Sequence, residues 1–396
     1  TADAIGSVGV GYAALNTLTS GIANVAVGYE SMYANQTSDY NTAVGHLSLT
    51  SLSGNGTQAC TGIGYGTGHN LTSGGSNTYL GYQSGYFNST GANNTYIGRD
   101  AGKGASGQSN SNNVGVGSNA LLAVTTGSGN VAIGDSAGVA ITTSTENVVV
   151  GKNAFAAADA GQNYNIVIGS GAGQSMNAAA CDSNVIIGHS ASTGGIAAIQ
   201  SCVVIGSDAM NSTGNEPQTG TIAIGASALT ALTTGAGNTA VGFESLAAIS
   251  TVSCNTAVGY KALKVNDDGD GNTFIGYHAG LENVSGSNCT VIGSSAMDNS
   301  ADLNNHNNTF IGKDCGGGTW TTTASTGNVA IGSQAMLGAL NDADNNTVIG
   351  YGTNPSAVGA QNQTVIGKGA TGVADNSVTL GNADVTAVYM ASDSGA

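Results

Sequence analysis

Proline and charge are the scarcest features of this chain: 2 of its 396 residues are proline and 8% are charged. Collagen requires glycine at every third position with abundant proline, and a disordered chain requires more charge and fewer β-branched residues, so both classes are excluded. Lys+Arg number only 7 against 23 Asp+Glu, a formal net charge of −16. No basic patch is available to hold a phosphate backbone, and nucleic acid is not an expected partner. No apolar run approaches the roughly 20 residues that cross a bilayer, so no membrane insertion is expected either. The chain begins at Thr1 without methionine, signal peptide or transit sequence, which reads as a processed product or a piece of something longer. Its 6 cysteines, Cys60, Cys181, Cys202, Cys254, Cys289 and Cys315, lack CxxC or zinc-finger spacing.

What is abundant is glycine, at 64 residues, between short Val/Ile/Thr segments. A five-residue phrase recurs from end to end, as in NVAVG at 24–28, NTYIG at 94–98, NVIIG at 184–188 and NTVIG at 346–350. Its 22 glycines run from Gly11 to Gly381 at intervals of 17 to 20 residues, except a final interval of 14. Helix formers such as ALLAV at 120–124 occur, but glycine at about one residue in six, costing roughly 1 kcal/mol each relative to alanine, excludes helices. The fold class read from this is all-β: each repeat is one coil of a parallel β-solenoid over residues 1–381, with neighbouring rungs about 4.8 Å apart. Twenty-two rungs predict a rod on the order of 100 Å long.

Positions are counted here from the repeat glycine, g. Position g−1 is Val, Ile or Leu and g−3 is Val, Thr or Ile in all 22 copies. Side chains alternate along a strand, so these two share a face, which is expected to be the core. Position g+3 is Ala, Ser or Thr in 20 copies, as a crowded corner requires. Leu18, Leu52, Leu71, Val124, Ile141, Leu232 and Ile249, at g+7, predict a second, less regular strand closing the coil. Cys60, Cys202 and Cys289 all fall at g−4, where small buried side chains are expected.

Position g−2 is then expected to point away from the coil's own core. It is Ala, Val, Ile, Tyr or Phe in 18 of 22 copies, and a strand apolar on both faces is covered on both. A stripe repeating with the coil asks for a partner that repeats too, which identical chains around a symmetry axis supply. Position g−4, on the same face, is Asn in 15 copies, either as a ladder of stacked amides or as a turn residue starting each strand.

The phrase N-[VT]-x-[VI]-G followed by x-x-[AS], over about residues 5–381, resembles the head repeats of YadA-like trimeric autotransporter adhesins and equally the similar repeats of bacteriophage tail fibres. The resemblance implies a left-handed β-roll and a homotrimer packed around a common axis. The coils here are mostly longer than that family's compact repeat, and no coiled-coil stalk or anchor barrel lies within the chain. Residues 382–396 resemble the lead-out that precedes a trimerising chaperone domain in phage fibres, or form a short cap; this tilts the reading toward a viral or filament origin.

No catalytic constellation accompanies the scattered His46, His69, His189, His278 and His306, and the chain is read as no enzyme. Position g+1 holds Tyr12, Tyr29, Tyr65, Tyr82, Tyr260, Tyr277 and Tyr351, with Phe243, His46 and His189 at three others. Such rings on successive rungs form a short stack that either binds sugar faces or stabilises the corner through ring stacking alone. Asp268, Asp270 and Asn272, within the run from Asp267, have the alternating oxygen ligands of a calcium site, with a fainter echo at Asp342, Asp344 and Asn346, but without an EF-hand's twelfth-position glutamate. Calcium is the one cofactor these residues suggest. N-x-[ST] sequons at Asn35, Asn70, Asn88 and Asn211 are frequent enough in so Asn- and Thr-rich a chain to be chance.

The function expected is a structural or adhesive fibre segment, extracellular or on a virion, whose partners are copies of itself, a filament neighbour end to end, and a host surface glycan or receptor. An ice- or glycan-binding solenoid is the alternative. Ice binding needs an exposed Thr ladder and ranks low, because the repeated Thr at g−3 is expected on the core face.

Overall fold

The computed structural model describes residues 4–194, 198–212, 214, 217–300, 304–318, 320, 323–338 and 340–388. The part of the lead-out beyond residue 388 lies outside the described residues. The described residues form strands and turns with no helix. The chain divides into two compact units, Thr1–Asp208 with Thr213–Thr219, and Ala209–Ser212 with Gly220–Ala396. In the first, 12 three-residue strands, one per repeat from Val8–Val10 to Val203–Ile205, pair in parallel. In the second, 10 strands do so from Ile222–Ile224 to Val378–Leu380. Each unit is thus a parallel β-solenoid. Rungs stay in step, Val25 opposite Thr42, Ala26 opposite Ala43 and Val27 opposite Val44, so each repeat position becomes a column.

The repeat glycine is obligatory for two reasons. At Gly28 φ is +136°, a region that L side chains avoid, and a Cβ there would lie 2.4 Å from the carbonyl oxygen of Gly45 on the next rung. Stacked glycines therefore let successive backbones approach at the end of every strand.

Which face is the core differs from the sequence expectation. The middle residue, g−2, points inward: Ala26, Tyr79, Val167, Phe274 and Phe310 are fully buried within the chain's own winding. The flanking g−3 and g−1 residues face outward, half-buried or exposed. Alternation establishes that g−1 and g−3 share a face but not which face is inside. Their strict β-branched or aliphatic character reports strand preference and an apolar exterior. The Asn column at g−4 moves inside with g−2; Asn24, Asn41 and Asn130 are fully buried.

Opposite g−2, the interior is completed by g+4. Met32, Leu49, Leu121, Phe155, Met210, Leu229 and Leu263 occupy it, all fully buried and all in left-handed backbone with φ between 46° and 54°. The two positions compensate in size within a rung. Tyr79, Tyr96, Phe274 and Phe310 at g−2 are matched by Gly85, Gly102, Gly280 and Gly316 at g+4, where a Cβ would come within 2.6, 2.3, 2.1 and 2.9 Å of the ring. Rungs with Ala at g−2, such as Ala26, Ala257 and Ala330, carry Met32, Leu263 and Met336. Close packing of a thin coil thus lets a ring at g−2 stand only opposite a glycine at g+4.

The expected second strand is mostly a turn. Leu52, Leu71, Val124 and Ile141 are buried, but their N–H groups donate back to the carbonyls of Leu49, Gly68, Leu121 and Gly138 three residues earlier. Left-handed residues in the arc break the extended alternation that a strand needs. Within the first unit two short pairings replace it, Thr37–Asp39 with Asn55–Thr57 and Ile199–Gln200 with Gln218–Thr219. The small residues at g+3 are buried from Ser31 onward, and Ser31, Ser48 and Ser84 donate their hydroxyls to the carbonyls of Ala43, Gly62 and Tyr96.

Candidate functional site

The feature with functional reach is the outer face of the parallel sheet and the two borders that flank it. The inner border is the g−4 ladder. The backbone N–H and side-chain Nδ2 of Asn94 donate to Asn77 Oδ1 at 2.9 and 3.1 Å. The contact repeats through Asn113, Asn130, Asn147, Asn165 and Asn184. Each Nδ2 also donates to an arc carbonyl, as Asn130 does to Ser144 at 2.8 Å, so one amide closes its own coil and seats the next. Of the two sequence readings of this Asn, the ladder is the one observed. Cys60 and Cys289 replace Asn in it: their N–H groups donate to Asn41 and Asn272 Oδ1, and their thiols to the carbonyls of Gly74 and Asn305. Burial pushes the Cys60 thiol above its ordinary range and that of Cys289 up to about 11, as inert interior thiols.

This ladder accounts for the calcium-like run. Asn272 is buried, its N–H donating to Asn255 Oδ1 and its Nδ2 to the carbonyl of Gly286, while Asp268 is exposed. Asp270 Oδ1 accepts the N–H of Ser253 on the preceding rung at 2.6 Å. The three residues therefore point to different surroundings and do not converge. The echo at Asp344 has the same cause, its carboxylate accepting the N–H and hydroxyl of Thr326. Alternating Asp and Asn at g−6 and g−4 is the mark of two rung-to-rung hydrogen bonds. Among the described residues no group of three His, Cys, Asp or Glu is placed to hold a metal. The sequon residues Asn35 and Asn88 are likewise buried, Asn35 Oδ1 accepting from Ser38 N–H and Asn88 Nδ2 donating to Tyr79 Oη.

At the other border the g+1 rings form columns. Tyr12, Tyr29, His46, Tyr65 and Tyr82 stack with successive centroids 5.1, 4.9, 5.3 and 5.1 Å apart and planes within 15° of parallel. In the second unit Phe243, Tyr260 and Tyr277 stack at 5.3 and 5.4 Å, with His278 at 3.9 Å from Tyr277. Tyr351 is exposed on the same column, between Ser333 and Lys368 of the adjoining rungs. Within a stack each ring covers its neighbour's face, so the outer surface shows edges and hydroxyls. Both readings of these rings call for a stack, and an approaching sugar would meet its edges and hydroxyls.

Between these borders lies the outward pair g−3 and g−1. On the six strands from Val114–Val116 to Val203–Ile205 every outward residue is Val or Ile, a continuous apolar strip roughly 24 Å along the stack. Ile133 is 42% exposed, and Ile166 39%. Contiguous apolar surface of this kind is uncommon on the exterior of monomeric proteins. Thr42, Thr61, Thr78 and Thr95, and in the second unit Thr239, Thr256, Thr273, Thr290 and Thr309, occupy g−3 and also face outward. The placement of this Thr column on the core face is therefore corrected. What sequence reading missed is g+4, whose signal was the pairing of a large g−2 with glycine six residues on.

No protein-family model and no curated protein sequence matches this chain.

Proposed function

We propose that this chain is a non-enzymatic structural fibre segment that assembles with copies of itself through the outer face of its parallel sheet. The assembly proposed is a homotrimer of left-handed coils around a common axis, as the YadA-like resemblance suggests, working outside a cell or on a virion to present or mediate attachment. The observation that carries the reading is the g−1 column, Val, Ile or Leu in every one of 22 copies, turned outward and partly exposed on a single chain. The chain buries g−2 by itself, so it is g−1 and g−3 that sister chains would cover. Burying an aliphatic side chain contributes about 1.5–3 kcal/mol, so a partner that repeats with the rungs gains from each of them. Cyclic symmetry closes such an assembly without open sheet faces. The test is the mass of the full chain in solution: a trimer of 38.4 kDa chains is expected, and a stable monomer at micromolar concentration would defeat the reading.

The outward Thr column favours a second reading, ice binding. A parallel sheet with Thr at g−3 and an aliphatic residue at g−1 presents hydroxyls and methyls at the rung repeat of about 4.8 Å. The two readings compete for one face, since sister chains would cover what ice must touch. A thermal-hysteresis measurement on the same sample separates them.

A further inference from the structure

We infer that the exposed tyrosine columns are sites of oxidative cross-linking, in which a one-electron oxidant of the peroxidase class, supplied with hydrogen peroxide, couples Tyr12 to Tyr29, Tyr65 to Tyr82, and Tyr260 to Tyr277. Ring centroids in these pairs are 5.1, 5.1 and 5.4 Å apart and the planes lie within 15° of parallel. All six rings are at least 42% exposed, so an oxidant too large to enter the coil reaches them. Rung stacking holds each pair in contact, which replaces the encounter of two radicals by a built-in proximity.

The chemistry balances within each pair. Both phenols lose one electron and the hydroxyl proton, giving neutral tyrosyl radicals with spin on the ring carbons ortho to oxygen. Two ortho carbons form one C–C bond, and the hydrogens on those carbons shift to the oxygens, restoring both phenols. The pair has lost two electrons and two protons, which convert one hydrogen peroxide to two waters. Tyr29 has a proton acceptor beside it: the hydrogen bond and charge of Glu30 raise its pKa above the usual phenol range, so the carboxylate is placed to take the proton as the ring is oxidised. His46 sits between Tyr29 and Tyr65 and separates the first column into two pairs. The product is a covalent staple between residues 17 apart, joining adjacent rungs of one chain.

The molecule holds its own controls. Tyr79 and Tyr96 stack at 5.8 Å but are fully buried, and Tyr164 is exposed but not stacked on another tyrosine. The full-length folded chain is treated with a heme peroxidase and hydrogen peroxide, then read by dityrosine fluorescence and peptide mapping. Expected are intrachain links at the three named pairs, each lowering the mass by two hydrogens, with Tyr82→Phe removing the Tyr65–Tyr82 link alone. The phenylalanine keeps the ring in the stack, and circular dichroism verifies that the fold is retained. Absence of dityrosine from the folded chain, links only between separate chains, or yields at Tyr164 or Tyr79 equal to those of the named pairs would overturn the proposal.

Discussion

Two stretches of the first unit wind in the same way yet show different exteriors. From Thr42–Val44 to Thr95–Ile97 the outward residues are Thr and an aliphatic side chain, and the g+1 column is aromatic through Tyr82. From Val148–Val150 to Val203–Ile205 both outward positions are Val or Ile, and g+1 holds Lys152, Ser170, His189 and Ser207. Ladder, glycine column and small corner are common to both. The winding is thus specified by g, g−4, g−2, g+3 and g+4, which leaves g−3, g−1 and g+1 to set what each stretch meets outside.

The largest effect should ignore the difference between the stretches. Gly45→Ala and Gly188→Ala place a Cβ 2.2 and 2.3 Å from the next rung's carbonyl oxygen at φ of +137° and +144°. Each should cost more than about 3 kcal/mol, read as a fall in urea midpoint; a harmless substitution in either stretch would show that the glycine column does not define the winding. The next effect should separate them. Ile168→Asp or Ile187→Asp puts a charge into the all-aliphatic strip and should weaken self-association about 100-fold or more, as burial of an uncompensated charge costs at least about 3 kcal/mol. Ile63→Asp, beside Thr61, should weaken it about tenfold, since the neighbouring hydroxyls could hydrogen-bond the carboxylate directly or through water. Mass in solution across a dilution series checks both, and equal losses would erase the contrast.

A smaller effect runs the other way. Tyr65→Ala should lose about 1 kcal/mol of stacking, whereas Ser170→Ala at the same repeat position should stay within about 0.5 kcal/mol; urea midpoints of the two variants make the comparison. The smallest effect is shared again. Burial raises the thiol pKa of Cys60 in one stretch and of Cys181 in the other. A thiol whose folded pKa lies above its unfolded one favours the fold fully below the unfolded pKa. As pH climbs past the ordinary thiol range of about 8.5, the unfolded chain loses its proton first and that stability drains away. A modest, reversible fall in urea midpoint between about pH 8 and pH 10 is expected in wild type, reduced in Cys60→Ser and Cys181→Ser alike.

The period, the strands, the absence of helix and the parallel stacking were legible because glycine spacing and β-branched residues report backbone conformation directly. The inside and outside of the strand were not. Alternation is symmetric between faces, and g−2 is apolar in a chain where g−1 is apolar too. Left-handed residues such as Met32 and Phe155 hid the second half of the core, because they abolish the period of two on which strand reading depends. The coil compensates a ring at Phe274 with Gly280 six residues later, a correlation visible in the sequence only once one knows that these positions meet. The aromatic columns were legible as a position and became stacks in the structure. The acidic run at Asp268 and Asp270 was ambiguous in the sequence because a hydrogen-bonded Asp/Asn alternation and a cation loop share their residue types.

The asparagine ladder has a direction. Every Oδ1 is occupied by the backbone N–H of the rung that comes later in the chain, as Asn113 receives Asn130 and Asn130 receives Asn147. A finished coil therefore displays a ready acceptor toward the C-terminal side, and the newest turn always finds its template already made. Winding can proceed in the order in which a ribosome delivers the polypeptide, each turn locked before the following one emerges.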